Sequence, residues 1–160
     1  REEVLMDYSI NPQIEQDSIT EYLKEQYPTM AIIEDGLPSD DNDSITYDPD
    51  TGEVNSFVIL WFSNPKKGKK AGFGGQKLDS YFATVDVGLI ARSGTRARRV
   101  LNDVTDRLID FKAAEGGRLS QGTPLFSDSR QVKQEANRPE RWMRTNRFDF
   151  GIASKKTPTP

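Results

Sequence analysis

Apolar positions recur at helical spacing in two stretches of the chain and alternate at strand spacing in several others. Asn11-Pro12 combines an N-cap with proline at the first helical position, and Asp17-Ser18 supplies a second start further on. Ile19, Tyr22, Leu23 and Gln26-Tyr27 then fall at three- and four-residue spacing, with Glu21, Lys24 and Glu25 on the other side. Pro28 predicts the end of this helix. Thr29 to Glu34 is short, apolar and partly β-branched, as a buried strand is. Val54 to Phe62 contains six consecutive apolar residues from Phe57 onward and predicts the most deeply buried strand. Tyr81 to Ile90 alternates, Tyr81, Ala83, Val85, Val87 and Leu89 one way and Thr84, Asp86 and Gly88 the other, which predicts a half-exposed strand.

A stronger helix opens at Ser93-Gly94-Thr95. Ala97, Leu101, Val104, Leu108 and Phe111 form one stripe, Arg99, Asp103 and Arg107 are four apart on the other side, and Gly116-Gly117 predicts closure after Glu115. Beyond it, Leu119 to Phe126 reads as an irregular connection, Ser129 to Gln134 as a strand and Arg138-Pro139 as a turn. Trp142 to Ala153 alternates again, with Trp142, Phe148, Phe150 and Ile152 in phase. No internal repeat or interdomain linker interrupts this order. The expectation is a single α+β domain over residues 1–153, a mainly antiparallel sheet covered by two principal helices, followed by a polar tail at 154–160.

Two long connections differ sharply in charge. Asp35 to Glu53 contains acids and no base, with two prolines and two glycines. Its Tyr47-Asp48-Pro49-Asp50-Thr51-Gly52-Glu53 has turn chemistry, which pairs Ser44–Tyr47 with the strand beginning at Val54 in a hairpin. Asn64 to Lys77 has five lysines, four glycines and the aromatic Phe73, and reads as a long hairpin loop that cannot bury itself. The net charge of -3 hides a wider division: residues 1–63 carry fifteen acids and two bases, residues 64–160 twenty bases and ten acids. Such asymmetry suits contacts between unlike surfaces.

Composition narrows the chemistry. A chain of 160 residues suits one domain that buries roughly 70% of its unfolded surface. Leu, Ile, Val and Phe number 36, just above the roughly 20% of a chain below which disorder sets in, so some of the chain is expected to be mobile. No apolar run approaches the ~20 residues of a membrane helix, and Arg1-Glu2-Glu3-Val4 lacks the start of a secretory signal. A soluble protein made inside the cell, without membrane partners, is expected. With no cysteine and no histidine, thiol catalysis, Cys/His zinc sites, disulfides and histidine bases are excluded.

The remaining candidates are loops and charge clusters. Asp41, Asp43, Asp48, Asp50 and Glu53 are hard oxygen ligands, yet an EF-hand register starting at Asp41 puts Ile45 fifth and Gly52 twelfth, so a solvated or partner-facing loop is the better reading. Lys66-Lys67-Gly68-Lys69-Lys70-Ala71-Gly72-Phe73 fails as a phosphate loop, because Phe73 stands where the second glycine belongs and Leu78 follows Lys77. Arg92, Arg96, Arg98 and Arg99 crowd a helix start, where cations oppose the dipole, so a carboxylate, a phosphate or water should compensate them. Arg138, Arg141, Arg144 and Arg147 accompany Trp142 and Phe148 as a stem-covered sheet edge or a binding face. No carboxylate pair, Asp79, Asp86 and Glu135 included, stands out as an acid/base couple. Neither an enzyme nor a cofactor is expected.

The order of elements resembles the tail terminator proteins of long-tailed bacteriophages from Ser18 to about Ile152. The resemblance runs through Tyr27-Pro28, Met30–Glu34, Ser56-Phe57-Val58-Ile59-Leu60 and the Gly/Lys hairpin. It continues through Asp79-Ser80-Tyr81-Phe82-Ala83-Thr84-Val85-Asp86-Val87, the helix with Asp103-Val104-Thr105-Asp106-Arg107-Leu108, and a strand after Arg138-Pro139. It departs at the acidic segment 35–53, which leaves room for a related head-tail joining protein. The resemblance implies a non-enzymatic ring, commonly of six copies, made in the host cytoplasm and placed at the neck of the virion tail. Such a ring halts the tail tube protein and presents a surface to the head connector. The candidate interface residues are Asp40, Asp41, Asp43, Lys66, Lys67, Lys69, Lys70, Phe73, Arg96 and Arg99, with Asp40, Asp41 and Asp43 meeting Arg96 and Arg99 across subunits. The rival is a nucleic-acid module using the basic loop, against which the sequence pI of about 5.1 and the lone Phe73 weigh.

Overall fold

The computed structural model describes residues 10–71 and 77–155. Helix α1 (Pro12–Gln26) starts where Asn11 accepts a hydrogen bond from the Gln13 amide, with proline in the first turn, and buries Glu15, Ile19, Thr20 and Leu23. The strands are β1 (Ile32–Glu34), β2 (Phe57–Phe62), β3 (Lys66–Ala71) and β4 (Lys77–Ala91). After α2 (Gly94–Leu108) come β5 (Ser120–Gln121), β6 (Arg130–Gln131) and β7 (Trp142–Ile152). They form one seven-stranded sheet in the order β1-β2-β4-β7-β5, with β3 on β4 and β6 on β7. Only β1 and β2 run parallel; the α+β class and the mainly antiparallel sheet follow the sequence expectation.

Alternation along β4 builds two cores. Ala83, Val85, Val87, Leu89 and Ala91 face the helices, where they meet Val58 and Leu60, Phe148, Phe150 and Ile152, and the stripe Ala97, Leu101, Val104 and Leu108 of α2. On the opposite face Phe57, Ile59 and Ile90 pack with Ile45 of the acidic segment and with Val54 just after it. The strand is therefore not simply half-exposed: the acidic segment folds back to form a third layer over one end of the sheet. Gly88 sits beneath the Trp61 ring, where a Cβ would lie 2.6 Å from it, and the indole N–H donates to the Gly36 carbonyl at 2.9 Å.

Several boundaries differ from expectation. The first strand is confined to Ile32–Glu34 and β2 starts at Phe57, with Val54 making an isolated bridge to Tyr47. That bridge is the predicted hairpin at its shortest. Helix α2 ends at Leu108, not Glu115, because Ile109 turns extended and Asp110 takes a positive φ of 67°, which Asp tolerates better than most residues. Phe111 thus lies outside the helical stripe and stacks on Tyr22 with ring centroids 4.0 Å apart. Gln121 in β5 interrupts the irregular connection, and the strand expected over Ser129–Gln134 shrinks to Arg130–Gln131.

The basic segment is also corrected. Lys66–Ala71 is a strand paired with Lys77–Phe82, so half of the predicted loop belongs to a two-stranded ribbon. Residues 63–65 oppose only Ala83 and Thr84 between the β2 and β3 registers. This is a bulge at which Pro65 has no N–H to give the ladder. Since β7 pairs with β4 from Tyr81 onward, the Lys77–Ser80 end continues past the body of the sheet with β3 alone.

The end of β7 is fastened by a carboxylate. Glu15 is fully buried, and its Oε2 accepts from the amides of Ala153 and Ser154 at 3.1 Å each and from the Ser154 hydroxyl at 2.9 Å. The Asn11 amide returns a bond to the Ser154 carbonyl at 2.6 Å, and Ile10 bridges Lys155. Ser154 and Lys155 therefore belong to the folded body. Glu15→Ala leaves the buried Ser154 amide and hydroxyl and the part-buried Ala153 amide without their acceptor, a loss of about 3 kcal/mol by the usual penalties for such groups. The expected result is a lower midpoint in denaturant and early amide exchange at Ala153 and Ser154; unchanged protection there would refute the fastening role.

Candidate functional site

Three charged surfaces carry the candidates. The first is the acidic layer, and its organiser is Arg141, only 1% exposed and the largest of the fully buried side chains. One guanidinium nitrogen donates to the Pro38 and Asp40 carbonyls at 2.8 Å each; the other donates to Asp41 Oδ1 at 3.1 Å and to the Tyr47 hydroxyl at 2.8 Å. Its guanidinium lies 5.3 Å from the centroid of the Phe57 ring, a cation–π distance. Arg138 also bonds Asp41 and lies 3.7 Å from Glu135. Asp41, expected to face another subunit, is thus engaged within its own chain. The hydrogen bond from Tyr47 and the charges of Arg138 and Arg141 hold its carboxyl below the usual range.

The neighbouring acids are placed differently. Asp40 Oδ2 accepts from the Leu37 amide at 3.1 Å, Asn42 caps the Ser44 amide at 2.8 Å, and Asp43 is exposed on the turn between them. Asp48 accepts from the Asp50 and Thr51 amides, which lower its pKa, and Arg92 lies close enough to add to that effect. Among the described residues, no three of the acids converge as a metal ion would require.

The second surface is a groove of about 670 Å³ between the first half of α2 and the chain leading into β1 and β2. Tyr27, Thr29 and Met30 line one side, Thr46, Asn55 and Ser56 another, and Arg96, Arg99, Val100 and Asp103 the helix wall. Asp103 is engaged: Tyr27 donates its hydroxyl to it and Arg107 Nε donates at 3.2 Å. Its carboxyl is lowered by these bonds, and the Tyr27 phenol is pushed well above its ordinary range by burial and by Asp103. The expected Arg99–Asp103 pair does not form. Arg96 and Arg99 are exposed, and their guanidinium groups have no hydrogen bond or ion pair among the described residues.

The third surface is the ribbon. Lys66 and Lys67 are exposed, Lys69 and Lys70 lie at register positions opposite Asp79 and Leu78, and Phe73 lies outside the described residues. At the ribbon's base the Phe82 ring covers Gly68, where a Cβ would lie 3.1 Å from it. Nearby, Arg147 grips Asp86 through two bonds of 2.8 and 3.1 Å. Asp86 and Glu135 hold different arginines and form no carboxylate couple. Arg144 donates to the Ser127 carbonyl at 2.7 Å, so the last strand's arginines mostly staple connections. The sequence reading placed Arg141 in a sheet-edge arginine cluster and did not anticipate its burial; the one signal was a strand phase shared with Met143, a residue packed against the second core.

No protein-family model matches the sequence, and no curated protein matches it. A solved chain described as "Virion of native gene transfer agent (GTA) particle" shares the fold at a TM-score of 0.50 and 14% identity, over 86% of this chain and 92% of that chain. A second solved chain aligns at a TM-score of 0.45 and 9% identity, over 92% of this chain and 94% of that chain. No helix among the described residues is long and apolar enough to cross a membrane.

The acidic layer should loosen in acid. A carboxyl whose folded pKa is depressed contributes stability above its unfolded value of about 3.9 and loses it as pH falls through the folded one. Asp41 is such a group. Proteolysis between Leu37 and Ser44 is expected to be slow at pH 6 (about two units above that unfolded value) and to accelerate below about pH 4. Arg141→Met should give the fast rate at both pH values. Equal rates for the variant and the parent at neutral pH would remove Arg141 as the organiser.

Proposed function

We propose that this chain is a structural, non-enzymatic virion protein, a terminator that forms a ring on the head-proximal end of a tail tube. It stops tube polymerisation and offers the head connector its docking surface. The observation that carries this reading is the fold shared with a gene transfer agent virion chain over 86% of this chain. The element order from Ser18 to Ile152, which resembles tail terminators, supports it from the sequence side. Unlike charges on different surfaces of one subunit suit the repeated, heterologous contact of a ring. The protein then resides at the neck of the virion, having been made in the host cytoplasm.

The lysine-rich ribbon favours one other reading, a nucleic-acid contact made by Lys66, Lys67, Lys69 and Lys70. The test mixes the purified protein with the tail tube protein of the same source, at low and high salt. Mass is followed by light scattering and tube length by electron microscopy. A closed ring, or a stoichiometric cap that arrests tube growth, is the expected result. A protein that binds a head connector but leaves tube growth unchanged would be a related head-tail joining protein instead. A monomer at every salt concentration that ignores the tube and shifts on DNA, with affinity falling steeply as salt rises, would overturn the terminator reading.

A further inference from the structure

We propose that the groove beside Arg96 and Arg99 receives the acidic turn Asp40–Asp43 of a second copy of this chain, joining subunits flank to opposite flank. The proposal rests on the ring reading above and names the contact within it. The groove supplies two guanidinium groups that have no partner among the described residues. Both stand in the first turns of α2, where the helix dipole disfavours cations, so an arriving carboxylate relieves a cost already present. The groove's own acid, Asp103, is occupied by Tyr27 and Arg107 and leaves the two charges uncompensated.

The acidic turn is built for the complementary role. Arg141 and Arg138 fix Asp41 and the carbonyls of Pro38 and Asp40, so the turn is held in place by its own chain. Asp43 and the outer oxygen of Asp40 remain on the exposed side. A rigid turn loses little entropy on docking.

Placement decides between a contact within one subunit and a contact between two. The groove lies where the chain enters β1 and β2, at one flank of the sheet. Asp40 and Asp41 line a hollow with Lys133, Gln134, Glu135 and Arg138, in the connection between β6 and β7 at the other flank. Among the described residues neither guanidinium pairs with a carboxylate of its own chain, so the contact proposed is one between copies, heterologous and closing into a ring if the rotation allows.

A charge-exchange experiment on the full chain tests this by sedimentation velocity over a concentration series, with and without the tail tube protein. One variant carries Arg96→Glu and Arg99→Glu, the other Asp40→Lys and Asp43→Lys. Asp43→Lys alone serves as the milder form, since Asp40 also caps the Leu37 amide. Each variant by itself should associate roughly tenfold or more weakly than the parent, because like charges replace opposed ones. An equimolar mixture should recover assembly, since each variant's reversed surface then meets its complement. A parent that associates while neither variant is weakened, or a mixture that fails to recover, overturns the groove contact and leaves the ring reading standing. A parent that stays monomeric even with the tube protein overturns both.

Discussion

The structure depends on β4 being paired along both edges while its two faces are buried by different partners. Fifteen residues of strand hold β2 and β3 on one edge and β7 on the other. Its odd positions from Ala83 to Ala91 anchor the helices, and Ile90 anchors the acidic layer. From Phe57's partner Ile90 back to Val85 the strand is paired on both edges, and β2, β3 and β7 are all positioned relative to it. The ribbon, the groove and the acidic turn are all measured from the same rigid ladder, which keeps surfaces on opposite flanks at a constant separation.

Charge enters this scaffold in two distinct ways. Arg141 is taken out of water, but two carbonyls, a carboxylate and a hydroxyl meet its two terminal nitrogens; Nε stays without a partner, and the four bonds made offset most of the cost of burial. Arg147 and Asp86 form a bidentate pair on the open part of the same face. Arg96 and Arg99 are left to solvent. Among the described residues, the ion pairs that join the acidic first part of the sequence to the basic second part both fall on Asp41, so most of that division stays on the surface.

Local periodicity made the two helices and the long alternating strands legible, because Ile19 and Leu23, or Ala97, Leu101, Val104 and Leu108, show their buried side directly in their spacing. The lysine-rich segment was misread because lysine and glycine have little preference for strands. It adopts one because β4 continues past the sheet and offers an unpaired edge, a case of context overriding propensity. Phe111 fitted the helical period by coincidence, since Asp110 had already reversed the chain. Arg141 was illegible for a different reason. Its partners lie about a hundred positions earlier, and no local pattern distinguishes an arginine that will be enclosed from one that stays wet. The groove was half legible: Arg96 and Arg99 stood out as ill-placed cations, whereas Tyr27, Thr46 and Asn55 joined them only through the fold.

Strand β1 has only three residues and closes the sheet on the groove side. So short an edge offers too few free amides and carbonyls for another chain to extend the sheet by strand addition. Recognition at that flank must therefore be read by side chains, which makes it selective for charge and shape and insensitive to the generic stickiness of open β-edges. In the ring proposed above, subunits would gain from this: they could be crowded at high local concentration without drifting into fibrils.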